Sequence, residues 1–350
     1  MKLRMPLAAI IFGLSPMAMS TAIAQDASAA RVQTAEGRQV IGLSEGWRFR
    51  YGDAPAEVVL SGFDDGQWEQ VSVPHSWNRI GEYALERSDK TNNEQGVGWY
   101  RLTVDAPSAE SSMRQYLDFA AVGKVADVWV NGIAVGGHRG GFSRFRLDVT
   151  DAWRPGETNL VVVKADNSKP ETGAASEIIP LAGDFFIHGG MYRDVSLIQL
   201  PETSIDPLDH GGPGVYARAS AIDVDEAVVE VRTRLRNFTP KRTVAVQTVI
   251  RDAEGRSVAE AKKQVSLAKG QSEIPMELTV ADPRLWNGRA DPYLYSVTST
   301  LMAGSDILDS VYEKDHVRAD VSGKDGKGFA KEGHMVGANL KSHLEALEKQ

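Results

Sequence analysis

Between residues 40 and 312 the chain shows almost no apolar spacing of three to four residues. Short β-rich runs recur instead, parted by Gly, Pro, Asn and Asp. A helix must repeat an apolar stripe about every 3.6 residues to bury one face, so this stretch favours strands. Many short strands separated by turn residues point to antiparallel sandwiches or barrels, and the chain is read as all-β. The clearest local unit is the hairpin from Ala126 to Gly137. There Val128 and Val130 alternate with Asp127 and Trp129, and Asn131-Gly132 forms the turn before Ile133 to Val135 returns. Asn and Gly both tolerate the positive φ angles of a type I′ turn. Leu160 to Val163 is an unbroken apolar run, as in a strand covered on both faces. The Gly- and Pro-rich stretch Asp206 to Gly214 cannot continue a sheet and marks a domain boundary. After it Val229, Val231, Thr233 and Leu235 alternate with Glu230, Arg232, Arg234 and Arg236, and Val244, Val246, Thr248 and Ile250 repeat the scheme. That pattern predicts a sandwich of roughly 100 residues with one wet face per sheet, closing near Tyr312.

The first 24 residues read differently. Lys2 and Arg4 precede an apolar run from Leu7 to Met19, and Ala22-Ile23-Ala24 offers small residues at a cleavage site. Ser15, Pro16 and Ser20 interrupt the run, which falls short of the roughly 20 apolar residues that span a bilayer. A cleavable secretory leader is expected, with cleavage near Ala24 and a periplasmic or secreted product. The apolar run does not recur, so no membrane partner is expected. The 350 residues contain no cysteine, so stability must come from packed cores alone, despite an exported setting that permits disulfides. A formal charge of −8 without any basic stripe argues against nucleic acid, whose phosphates need clustered Lys and Arg.

A series of phrases resembles the N-terminal sugar-binding domain of glycoside hydrolase family 2, the β-galactosidase, β-glucuronidase and β-mannosidase group. They are Gly46-Trp47-Arg48-Phe49, Asp64-Asp65-Gly66-Gln67-Trp68, Val73-Pro74-His75-Ser76-Trp77-Asn78, Gly98-Trp99-Tyr100-Arg101 and Val128-Trp129-Val130-Asn131-Gly132. Gly140-Gly141-Phe142-Ser143-Arg144-Phe145, Asp148-Val149-Thr150, Ala165-Asp166-Asn167-Ser168 and Gly189-Gly190-Met191-Tyr192-Arg193-Asp194-Val195 complete the series. Leu285-Trp286 with Asp291-Pro292-Tyr293-Leu294-Tyr295-Ser296-Val297 resembles the family's immunoglobulin-like domain. The resemblance implies a jelly-roll, galactose-binding-like sandwich over 40–205, a linker at 206–214 and an immunoglobulin-like sandwich over 215–312. A leader (1–24) and an arm (25–39) precede them. The tail 313–350 keeps an echo of the entry to a (β/α)8 barrel in Gly337-Ala338-Asn339-Leu340-Lys341-Ser342-His343. A barrel takes roughly 250 residues, so the expectation is a truncated form without its catalytic barrel.

Retaining glycoside hydrolysis needs an acid and a nucleophilic carboxylate about 5 Å apart. In the family both glutamates belong to the barrel, the acid following an Asn, and no position here matches either; Asn93-Glu94 copies that dipeptide but stands before Gly98-Trp99 of the first sandwich. No catalytic residue is therefore named. The scattered histidines lack metal-ligand spacing, so no metal and no cofactor is expected; His75 and His188 are read as hydrogen-bonded loop residues. The resemblance implies that two loops of the first domain touch the terminal sugar of a β-glycoside, of galactose type. The corresponding candidates are Asn92, Asn93, Asp166, Asn167 and Asp184, short polar side chains suited to hydroxyl groups but also to turns. The tryptophans are read as core and edge aromatics. Three roles remain open: a family member inactive on its own, a free-standing carbohydrate-binding module, or a fragment completed by a separate barrel domain or by homo-oligomer formation.

Overall fold

The computed structural model describes residues 32–35, 37–78, 95–106, 113–168, 188–223, 225–287 and 289–317. Strands and their turns make up nearly all of it, with a single 3-10 turn at Ala56–Val59. The first sandwich comprises β1 (Val32–Ala35), β2 (Arg38–Gly42), β3 (Trp47–Tyr51), β4 (Glu69–Val71), β5 (Val97–Asp105) and β6 (Met113–Phe119). It continues with β7 (Val125–Val130), β8 (Ile133–Arg139), β9 (Phe145–Asp148), β10 (Thr158–Asp166) and β11 (Val195–Pro201). A five-stranded sheet in the order β1-β2-β11-β6-β9 faces a six-stranded sheet in the order β4-β3-β5-β10-β7-β8. Their shared core joins Ile41, Leu117, Phe119 and Leu197 of one sheet to Trp47, Tyr100, Val128 and Val163 of the other. The burial of these side chains follows the period-2 pleat, and it is this apolar layer that fixes strand register.

The β7–β8 hairpin turns at Asn131-Gly132, with φ of 51° and 84°, as the dipeptide predicts. Asn131 does more than turn: its side chain also donates to Ala152 O and Asn159 Oδ1 and accepts from the Leu160 amide. Leu160 to Val163 are buried in mid-sheet.

The second sandwich comprises β12 (Thr203–Ile205), β13 (Val215–Ile222), β14 (Glu226–Asn237), β15 (Arg242–Arg251), β16 (Ser257–Leu267), β17 (Gly270–Ala281), β18 (Tyr295–Ala303) and β19 (Asp306–Val317). One sheet runs β12-β14-β13 with β17 on the other side of β14, and the other runs β16-β15-β18-β19. Val229, Val231, Thr233, Leu235, Val244, Val246, Thr248 and Ile250 are all buried, as their alternation predicts. The final strand passes Tyr312 and ends at Val317. Thr203–Ile205, on the first-domain side of the boundary expected at residue 206, hydrogen-bond to β14 of the second sandwich.

Polar bonds also join the sandwiches. Arg38 on β2 holds Asp309 on β19 by two bonds of 2.9 Å, and the Ile205 amide donates to the same carboxylate at 2.9 Å. Arg146 spans from Asp118 (2.7 Å) to the carbonyls of Pro207 (3.0 Å) and Gly212 (2.6 Å), clamping the connector to the first sandwich. A fork of guanidinium donors suits such a junction because it satisfies several acceptors at once.

Candidate functional site

One end of the six-stranded sheet, where β5 and β7 begin and β3 and β10 finish, gathers the polar groups of interest. Asp166 closes β10 in register with Val97 and Val125. It is buried, and its Oδ1 accepts from the Ser168 amide at 2.8 Å and from the Ser168 hydroxyl. This local turn ends the strand. The neighbouring Asn167 is fully enclosed; its Oδ1 accepts from the Gly96 amide at 2.9 Å, and its own amide donates to Gly96 O at 3.0 Å. Asn78 plays the matching part at Gly189, whose amide donates to Asn78 Oδ1 at 2.7 Å.

These ties cross. The described residues stop at Asn78 and resume at Gln95, then stop at Ser168 and resume at His188. Asn78, before the first interval, holds Gly189, after the second. Asn167, before the second, holds Gly96, after the first. Asn92, Asn93 and Asp184 lie within those intervals, outside the described residues.

Aromatic packing supports the same end. Trp77 passes between Gly98 and Gly189, where an added Cβ would come within 2.4 and 1.9 Å of the indole, so only glycine permits the approach. Trp77 stacks on Phe49 with centroids 6.0 Å apart and tilts against Tyr51 at 5.5 Å. His75 shares a 2.8 Å hydrogen bond with the Tyr100 hydroxyl. Burial pushes the imidazole down against the opposing field of Glu69, and it pushes the phenol up. A neutral, hydrogen-bonded His75 fits its reading from sequence. Trp47 and Trp68 are buried, whereas Trp99 and Trp129 stack on each other at 5.7 Å.

Lys124 carried no signal in the sequence. It precedes β7 with φ of 63°, is 2% exposed, and its ammonium has no hydrogen-bond partner among the described residues. Burial pushes its pKa down, opposed by the charge of Asp166. The adjoining Gly123 amide donates to Gly190 O at 2.8 Å, which lays this turn alongside His188, whose enclosed Nδ1 also lacks a partner among the described residues.

Among the described residues no group of three or more His, Asp or Glu side chains could hold a metal ion. Asp206 and Asp252 have displaced pKa values. Burial pushes both up, but hydrogen bonds and the charges of Arg236 and Arg256 outweigh it and hold both below the usual range. A general acid for glycoside cleavage needs the opposite displacement.

Residues 41–201 match the profile of the glycosyl hydrolases family 2 sugar binding domain, and residues 214–315 match a second glycosyl hydrolases family 2 profile. A β-glucuronidase of Bacteroides fragilis is 34% identical over 78% of this chain, and a β-galactosidase of Bacteroides ovatus is 29% identical over 75%. The chain spans 37% and 30% of the length of those two relatives. The crystal structure of Bacteroides uniformis β-glucuronidase superposes with a TM-score of 0.70 at 28% identity, covering 79% of this chain and 32% of that one. With two family profiles in succession and a relative 34% identical over 78% of this chain, the chain belongs to family 2 of the glycosyl hydrolases.

Proposed function

We propose that the first sandwich recognises the terminal sugar of a β-glycoside, of galactose type, at the sheet end described above. Asn92, Asn93, Asp166 and Asp184 supply the contacts on this reading, and the enclosed Asn167 holds the base of its loop. The observation that carries it is the crossed pair of asparagine ties, Asn78 to Gly189 and Asn167 to Gly96. They anchor the bases of both intervals that hold the candidate residues, and preorganised polar groups lose less entropy when a ligand binds. Relatives named β-glucuronidase and β-galactosidase support a sugar as the ligand class.

Cleavage needs an acid and a nucleophile about 5 Å apart. We assign that chemistry to residues outside 32–317. Orientation without those two groups leaves the chemical barrier nearly unchanged. The leader ending at Ala24 would deliver the protein to the periplasm or beyond.

Titration of the chain with methyl β-galactoside, followed by NMR, tests recognition: the wild type shifts, and the Asn93→Ala, Asp166→Ala double variant binds more weakly. Equal binding by the variant removes both residues from the site. Nitrophenyl β-glycosides should show no turnover above buffer, and turnover abolished by one Asp or Glu substitution would overturn the assignment of chemistry elsewhere.

A further inference from the structure

An enclosed ammonium without an acceptor is unfavourable, since burial removes its water and nothing replaces it. Among the described residues Lys124 is such a group, and it sits in the left-handed region at φ 63°, which non-glycine residues seldom adopt. Strain and an unmet donor at one residue are the kind of local cost that folds retain at binding sites. The neighbourhood narrows the missing partner. Lys124 directly precedes Val125, whose register partner on β10 is Asp166. Asp166 Oδ1 is engaged by Ser168, and no donor reaches Oδ2 among the described residues. A cation beside a carboxylate repels no charge in net terms and attracts none. It fits a group that accepts and donates at once, and a hydroxyl does both.

Resting on the sugar-site reading above, we propose that Lys124 contacts the ligand: its Nζ donates to one sugar hydroxyl oxygen, and the same hydroxyl donates to Asp166. The lysine then discriminates between sugars that present a hydroxyl there and those that lack or invert it. A site built to pair a hydroxyl rejects the analogue without it because its buried groups are left unmet. An anionic sugar gains nothing at this pair, since Asp166 cancels the attraction of Lys124.

The test titrates the full chain with methyl β-D-galactopyranoside, for wild type and Lys124→Met, and compares melting temperatures without sugar. Methionine keeps the stem and deletes the charge. The expected result is a sugar-free melting temperature no lower than wild type, together with about a tenfold or greater loss of affinity, the effect of one charged hydrogen bond. A lower sugar-free melting temperature marks a merely structural lysine and overturns the proposal. Affinity within twofold of wild type in a folded variant also overturns it while leaving the sugar-site reading intact. If the wild type itself binds neither this galactoside nor methyl β-D-glucopyranoside, both readings fall together. Should Lys124→Met fail to fold, the 15N signal of the wild-type lysine Nζ decides: it must move on sugar addition, and an unmoved signal overturns the assignment.

Discussion

The two sandwiches differ in the buried polar groups they leave unmet. In the second, Asn237 is saturated: its carbonyl oxygen accepts from Thr203 Oγ1 and from the amide and hydroxyl of Thr239, and its amide donates to Thr239, Pro240 and Ala268 carbonyls. Thr233, Thr248 and Ser299 likewise close a hydroxyl cluster across the core. In the first, the sheet end leaves Lys124 Nζ and His188 Nδ1 enclosed without partners among the described residues, whereas the second leaves the neutral Ser204 hydroxyl on β12. A fully satisfied network rigidifies, whereas an incomplete one marks a place where something else is meant to bind. The second sandwich is accordingly read as scaffold and the first as scaffold plus site.

The sharpest way to break this comparison is at the junction between the two. Asp309→Ala strands the Arg38 guanidinium and the Ile205 amide, and a buried pair broken on one side costs about 3–5 kcal/mol. Urea unfolding should show that loss; a cost below about 1 kcal/mol, the range of surface pairs, would mean the junction is ornamental. Asn237→Ala comes next, at about 1–3 kcal/mol for unsatisfied carbonyls, read by the same method. A variant as stable as wild type would erase the contrast with Lys124. Ser168→Ala is smaller, at about 0.5–1.5 kcal/mol for one hydrogen-bonded turn. It should also loosen hydrogen exchange at Asn167 without touching β14.

Acid should separate the two halves as well. The folded pKa of His75 is lowered by burial, so its contribution is full above its ordinary value of about 6.5 and fades as pH falls through the folded value. Asp206, lowered by Arg236 and its other donors, contributes above about 3.9 and fades only as pH drops beneath that. Residue-resolved hydrogen exchange from pH 7.5 to 5 should therefore weaken protection around β5 before β14, and His75→Gln should flatten the difference. Simultaneous loss in both sandwiches would contradict the division.

What the sequence disclosed was local. The Asn131-Gly132 turn, the Leu160–Val163 run and the alternation of β14 and β15 depend on neighbours within a few residues, so chain order displays them. The crossed ties join Asn78 to Gly189 and Asn167 to Gly96 across 111 and 71 positions, which no spacing rule reveals. Asn167 was singled out from the resemblance, yet its dependence on Gly96 needed the sheet. The attachment of Thr203–Ile205 to the second sandwich followed from pairing with β14, where the Gly- and Pro-rich connector alone had suggested the break. Lys124 escaped notice because lysine normally belongs at the surface and Gly123-Lys124 reads as an ordinary turn.

The bond between Arg38 and Asp309 bridges 271 positions, so the second and the last strands of the described fold meet directly. The covalent connector from Pro207 to Gly214 is therefore not the sole tether between the halves. A protease nick there would leave a two-piece particle still held by β12 on β14 and by Arg38 on Asp309, and any pull exerted on the last strand reaches β2 through a guanidinium as well as through the peptide backbone.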